Sequence, residues 1–169
     1  QTHRVDHYEC LLRLRLETGK IIAAGEFVPV VERSGLMRLV DRRALDLALA
    51  DLSRYPDITL AINISAVTTS DASWLRTLSA SVKNRPDVAT RLIVELTETI
   101  ALENIEETAR FVSALRQLGV RVALDDFGAG FTSFRNLRTL AVDTLKIDGS
   151  DRKSTRLNSS HQIISYAVF

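Results

Sequence analysis

Apolar positions along this chain alternate between two rhythms. Period-two or near-continuous runs predict strands at His7–Leu16 (HYECLLRLRL), Thr59–Ser65 (TLAINIS), Arg91–Glu98 (RLIVELTE), Arg121–Leu124 and Asp143–Asp148 (DTLKID). In the first of these, Tyr8, Cys10, Leu12 and Leu14 alternate with Glu9, Leu11, Arg13 and Arg15, so one face is apolar and the other carries a carboxylate and guanidinium groups. Between the strands the spacing becomes helical. Gly25–Gly35 reads as a short helix ended by glycine, and Leu36, Leu39, Val40, Ala44, Leu47, Ala48 and Leu52 mark a longer one that ends before Pro56. Trp74, Leu75, Leu78 and Val82 predict the next, stopped near Pro86; Ile105, Ala109, Val112, Leu115 and Leu118 predict another, closed by Gly119; a short helix follows from Thr132 to Leu140. A strand–helix repeat of about thirty residues has the size of a βαβ unit and requires parallel strands.

The polar residues that interrupt this pattern cluster where strands end. Val122–Phe134 (VALDDFGAGFTSF) stops an apolar run on adjacent carboxylates, Asp125 and Asp126, before a loop that Gly128 and Gly130 allow to turn tightly. Two neighbouring aspartates repel unless a cation holds them together. Asn63, Glu95 and Glu98 fall at or near the ends of two other strands, and in a parallel sheet that edge is where active sites form. Carboxylates and an amide oxygen are hard donors that suit magnesium or manganese and suit copper or structural zinc poorly. With two such ions the natural chemistry is in-line attack of an activated water on a phosphodiester, with Lys146 orienting that water or neutralising charge and Arg13 holding a phosphate oxygen. Each residue also has a purely structural explanation: Glu9 as a solvated strand residue, Asn63 as a turn cap, Glu95 and Glu98 as helix caps, Lys146 as a partner of Asp148, and Arg13 as a structural cation. The case rests on their shared location.

Composition narrows the picture. At 169 residues, with 46% hydrophobic and 25% charged, the chain has the balance of one ordinary core-forming domain. A formal net charge of +1 gives no electrostatic reason to expect a nucleic-acid polymer or a membrane surface as partner. The single Cys10 cannot close an internal disulfide, His3, His7 and His161 lack zinc spacing, and no run approaches the length of a membrane span. A cytoplasmic setting is the expectation, with any membrane anchor lying outside this segment.

Glu9-Cys10-Leu11 followed by Arg13, then EFVPVVERSGL, INIS, VELTE, LDDFGAGFTSF and LKID, resemble in order and spacing the bacterial EAL-domain family of cyclic di-GMP phosphodiesterases. The resemblance implies an α/β fold, a TIM-like (β/α) barrel with an altered first strand, and hydrolysis of cyclic di-GMP to linear pGpG with two Mg2+ or Mn2+ ions. It implies Glu9, Asn63, Glu95 and Asp125 as metal ligands and Asp126 serving the second metal or its water. Lys146 would stand near the nucleophilic water, Glu98 would anchor the loop Phe127–Ser133, and Arg13 and Leu11 would contact substrate. Cys10 stands where alanine is usual, on the strand face away from Glu9, and GAGFTSF replaces the commoner GTGYSSL. The resemblance runs from about Tyr8 to Ser150 and lacks the family's later glutamate and glutamine, so residues 1–150 read as an incomplete barrel, expected to be inactive by itself. The tail, Asp151–Phe169, departs from the pattern and resembles translated sequencing-adapter read-through, so it is expected to be non-native or disordered. The alternative is a degenerate module that binds cyclic di-GMP or a protein partner without hydrolysis; homodimerisation of the parent protein stays open.

Overall fold

The computed structural model describes residues 5–128, 138–147 and 161–167. Its strands are β1 (His7–Arg15), β2 (Ile21–Ala23), β3 (Leu60–Asn63), β4 (Leu92–Thr97), β5 (Arg121–Phe127), β6 (Thr144–Ile147) and β7 (His161–Ala167). The helices are α1 (Ala24–Arg33), α2 (Met37–Arg54), α3 (Ala66–Thr69), α4 (Ala72–Val82), α5 (Pro86–Ala89), α6 (Glu98–Glu103) and α7 (Ile105–Gln117). Every strand and every helix of more than ten residues falls where periodicity placed it, except the three-residue β2 and β7, which lies in the tail set apart from the domain. The short α3, α5 and α6 were also unmarked by any apolar period. Most of the helix expected at Thr132–Leu140, the loop beyond Gly128 and Asp148 lie outside the described residues.

The sheet runs β2-β1-β3-β4-β5-β6, with β7 also paired to β1. β1, β3, β4, β5 and β6 are mutually parallel, and among the described strands β2 alone runs antiparallel, against Arg13–Arg15. β7 runs parallel to β1 from His7 to Arg13. Parallel neighbours require crossovers, and α2, α4 and α7 supply them. Gly35 and Gly119 end helical segments at φ +68° and +84°, a left-handed conformation in which a β-carbon would be strained.

Alternation gives the sheet two unlike faces. Leu60, Ile62, Leu92, Val94, Leu96, Val122 and Leu124 point toward the helices and join Leu45, Leu52, Trp74, Leu78, Phe111 and Leu115 in the main core. The opposite face carries Ala61, Ile93 and Ala123, a separate buried layer of mostly small side chains. Cys10 is buried in the helix-side core, so it faces away from Glu9, as its strand position requires. Residues two places further along β3, β4 and β5 from that small layer are Asn63, Glu95 and Asp125. The fold thus sets a polar constellation directly on an apolar floor.

Candidate metal centre

Glu9, Glu95 and Asp125 come from three strands and lie far apart in sequence, yet each offers an oxygen within 4.8 Å of the others. β1 pairs with β3, β3 with β4 and β4 with β5, so strand register alone brings their side chains to one face. Asn63 stands directly opposite Glu95 in the β3–β4 pairing, and its amide nitrogen donates to Glu9 Oε1 at 3.3 Å. Lys146, from β6, reaches into the middle of the group. Its ammonium donates to Glu95 Oε2 at 2.9 Å and Asp125 Oδ2 at 3.0 Å and lies 3.7 Å from Glu9 Oε2. Five residues predicted from sequence, Glu9, Asn63, Glu95, Asp125 and Lys146, are therefore brought together.

Their electrostatics are unbalanced. Three carboxylates surround one ammonium, which leaves two negative charges uncompensated within the group. Glu95 is the deepest member, 1% exposed, and lies in the middle of β4 rather than at its end. Burial pushes its carboxyl above the usual range; the Lys146 ammonium pulls it back, and the charges of Glu9 and Asp125 add to the rise. For Lys146, burial opposes the charged form, but the hydrogen bonds and charges of Glu95 and Asp125 outweigh it and push the pKa up to about 12. Among the described residues, Glu95 Oε1 is buried with no hydrogen-bond partner. An orphaned carboxylate oxygen, hard oxygen donors and an excess of two negative charges together fit a divalent cation of the magnesium or manganese kind.

Asp126 does not join this group. Between Leu124 and Phe127 on β5 and Leu145 and Ile147 on β6 the pairing slips by one residue, a bulge. Asp126 occupies it at φ +56°, a conformation aspartate tolerates better than most residues, and its amide donates to Asp125 Oδ1 at 2.9 Å. The extra residue turns Asp126 to an exposed position. Glu98 begins α6 instead of ending β4, is 4% exposed, and accepts the Gly128 amide at 3.0 Å. It thereby ties down the start of the glycine loop.

Arg13 shares a strand face with Glu9 but lies four residues on, about 13 Å along the strand at the usual rise. Its guanidinium donates to the Leu12 carbonyl at 2.8 Å, and it is not drawn to the carboxylates. Leu11 lines a cavity of about 280 Å³ together with Asn63, Ser65, Glu32 and Asp41, beside the carboxylate group. Asp41, on α2, is the polar residue that sequence reasoning passed over: it is 1% exposed and accepts from the Ser65 amide at 3.0 Å, the Ser65 hydroxyl at 2.5 Å and the Thr68 hydroxyl at 2.6 Å. One signal for it was available, since Asp41 shares the stripe of Met37, Ala44 and Ala48 on the buried face of α2.

Comparison with known proteins places this geometry. Cyclic di-GMP phosphodiesterase PdeF of Escherichia coli (strain K12) is 31% identical over 164 residues, covering 94% of this chain and 22% of the relative. Cyclic di-GMP phosphodiesterase PdeB of Shewanella oneidensis is 34% identical over 165 residues, covering 95% of this chain and 19% of the relative. The chain thus spans about a fifth of the length of these relatives. Among solved structures, the PaMucR phosphodiesterase in its c-di-GMP complex superposes with a TM-score of 0.72 at 27% identity, over 80% of this chain and 57% of that one. The FimX EAL domain of Pseudomonas aeruginosa, bound to c-di-GMP, gives 0.76 at 23% identity over 88% and 62%, a likeness of fold. The EAL domain model matches residues 1–168. With its mostly parallel α/β sheet of the TIM-like kind, and with carboxylates from separate strands gathered at one site, this chain belongs to the EAL-domain family.

Proposed function

We propose that this chain carries the metal-binding part of a site that hydrolyses a phosphodiester bond of cyclic di-GMP, giving linear pGpG, in a protein of which it forms part of the EAL domain. The observation that carries the reading is the convergence of Glu9, Glu95 and Asp125 around Lys146, with one oxygen of Glu95 left unpaired in the interior. Glu9, Asn63, Glu95 and Asp125 would hold Mg2+ or Mn2+, and Asp126, at the bulge, would serve a second ion. Such ions supply Lewis acidity and make water nucleophilic near neutral pH.

The protein's own groups do the rest. In this structure the hydrogen bonds and charges of Glu95 and Asp125 favour the charged form of Lys146. Lys146 would stand beside the reacting phosphate, where its ammonium would orient water or neutralise charge that develops on phosphate oxygen. Glu98, through the Gly128 amide, fixes the turn that follows the two aspartates. Leu11 and Arg13 would meet the nucleotide, the first from the cavity wall and the second through a phosphate oxygen.

The chain by itself is proposed to bind the metal without turning over the dinucleotide. Calorimetric titration with Mn2+ tests the first part: binding should be measurable and should be lost in Glu95→Ala. Equal affinity in the two proteins would sink the metal assignment. Incubation with cyclic di-GMP and Mg2+ tests the second part, and linear product would show that the chain is active alone.

A further inference from the structure

The buried Asp41 has no part in the carboxylate group, and nothing in the reading above uses it. A carboxylate removed from water is costly unless its oxygens are satisfied, and Asp41 Oδ2 takes three donors: the Ser65 amide, the Ser65 hydroxyl and the Thr68 hydroxyl. Ser65 is the residue before α3, the position from which a serine side chain ordinarily caps a helix, yet it makes no cap bond there because its hydroxyl is given to Asp41. The local capping interaction has been exchanged for a long-range one between α2 and the end of β3. On its other side Asp41 is held by the indole of Trp74, 1% exposed, which donates to the Asp41 carbonyl at 3.3 Å.

What this clamp holds is the short segment that leaves β3. Asn63 is the last residue of β3, Ile64 donates its amide to the Glu95 carbonyl at 3.2 Å, and Ser65 comes next. Asn63 is thus fixed by β4 on one side and, two residues on, by α2. Its amide nitrogen is already given to Glu9, which leaves the side-chain oxygen as its donor toward a cation. We infer that Asp41 is a positioning residue for the metal centre: by taking three hydrogen bonds from Ser65 and Thr68 it sets the backbone that aims Asn63 at the site. This rests on the reading of Asn63 as a metal ligand. Residues that orient ligands from outside the coordination shell usually matter to metal affinity by a factor of ten or more.

A double-mutant cycle on the full chain, read by Mn2+ affinity in calorimetry, tests it. Asp41→Asn and Asn63→Ala should each weaken Mn2+ binding about tenfold, and Asp41→Asn should cost nothing further once Asn63 is alanine. An Asp41→Asn protein with unchanged affinity, or one that loses the same factor in the Asn63→Ala background, overturns the positioning role while leaving the metal reading intact. Unchanged affinity in Asn63→Ala overturns both. If Asp41→Asn does not fold, Thr68→Val, which removes one of the three donors, takes its place in the same cycle; it should lower affinity about threefold, again only while Asn63 is present.

Discussion

Lys146 shows how one side chain holds two roles in tension. Its ammonium lies among the oxygens that a divalent ion would use, so in the metal-free protein it is the counter-ion that makes the buried Glu95 tolerable. Replacing it with methionine removes that counter-ion. The metal-free chain should lose about 3 kcal/mol of unfolding free energy in urea, the usual consequence of leaving a buried charge without its partner. The same change should tighten Mn2+ binding several-fold, because it removes a cation that repels the ion and occupies its donors. Calorimetry on Lys146→Met decides this: weaker Mn2+ binding would mean that the lysine helps to hold the ion. Glu98 offers a cleaner local case. Its carboxylate accepts the Gly128 amide at 3.0 Å. In Glu98→Ala the Gly128 amide should exchange with solvent faster, whereas Glu98→Gln, which keeps an acceptor oxygen, should retain part of the protection. Equal protection in all three proteins would assign the turn to the glycine alone.

At the scale of elements, the long helices and the strands were legible because each fills more than one apolar period. Of the elements that escaped, β2, α3, α5 and α6 span three to six residues and never complete a pattern, and β7 lies in the tail set apart from the domain. Four of the five gathered site residues were legible for a related reason: Glu9, Glu95, Asp125 and Lys146 are polar residues set in apolar strands, where a charge needs explaining. The slip at Asp126 was not, because a bulge depends on the partner strand, whose register no single segment records. Asp41 was hidden by its neighbours Arg38, Arg42 and Arg43, which give that stretch of α2 the look of a solvated face. Its burial has a consequence for pH. Desolvation holds the Asp41 carboxyl above its usual 3.8, against the pull of the Ser65 and Thr68 hydrogen bonds. The folded state therefore binds this proton more tightly than the unfolded chain does. Its contribution to stability is fully present below 3.8 and is lost as pH rises through the raised value. Urea unfolding across that range should show the stability of wild type relative to Asp41→Asn falling as pH increases. A relative stability that rose with pH would mean that the three hydrogen bonds, not burial, dominate the titration.

Over the whole molecule, charge and architecture are separated. A net charge of +1 hides a local excess of two negative charges in the carboxylate group, set on the buried floor of Ala61, Ile93 and Ala123. At the other extreme, β6 is terminal in the described sheet path, and Leu145 and Ile147 are 43% and 59% exposed on the face away from Lys146. A short apolar strand with an open edge is a site of self-association, and a lysine there is the usual remedy. Ile147→Lys should lower association in light scattering and leave Mn2+ affinity as it is. A metal held by the proposed donors would act on the other face of the sheet, joining β1, β3, β4 and β5 through residues from Glu9 to Asp125. Unfolding would then have to separate those strands and release the ion, so binding would add to the stability of the whole sheet. At a free Mn2+ concentration one hundred times the dissociation constant, the gain is about 2.7 kcal/mol. For a chain of this size that is a rise in melting temperature on the order of 5–10 °C. Ile147→Lys should keep the full shift, because it leaves the donors in place. Glu95→Ala should abolish it, because the deepest donor is gone. A shift of equal size in Glu95→Ala would place the stabilising ion elsewhere, and with it the centre on which the proposed hydrolysis depends.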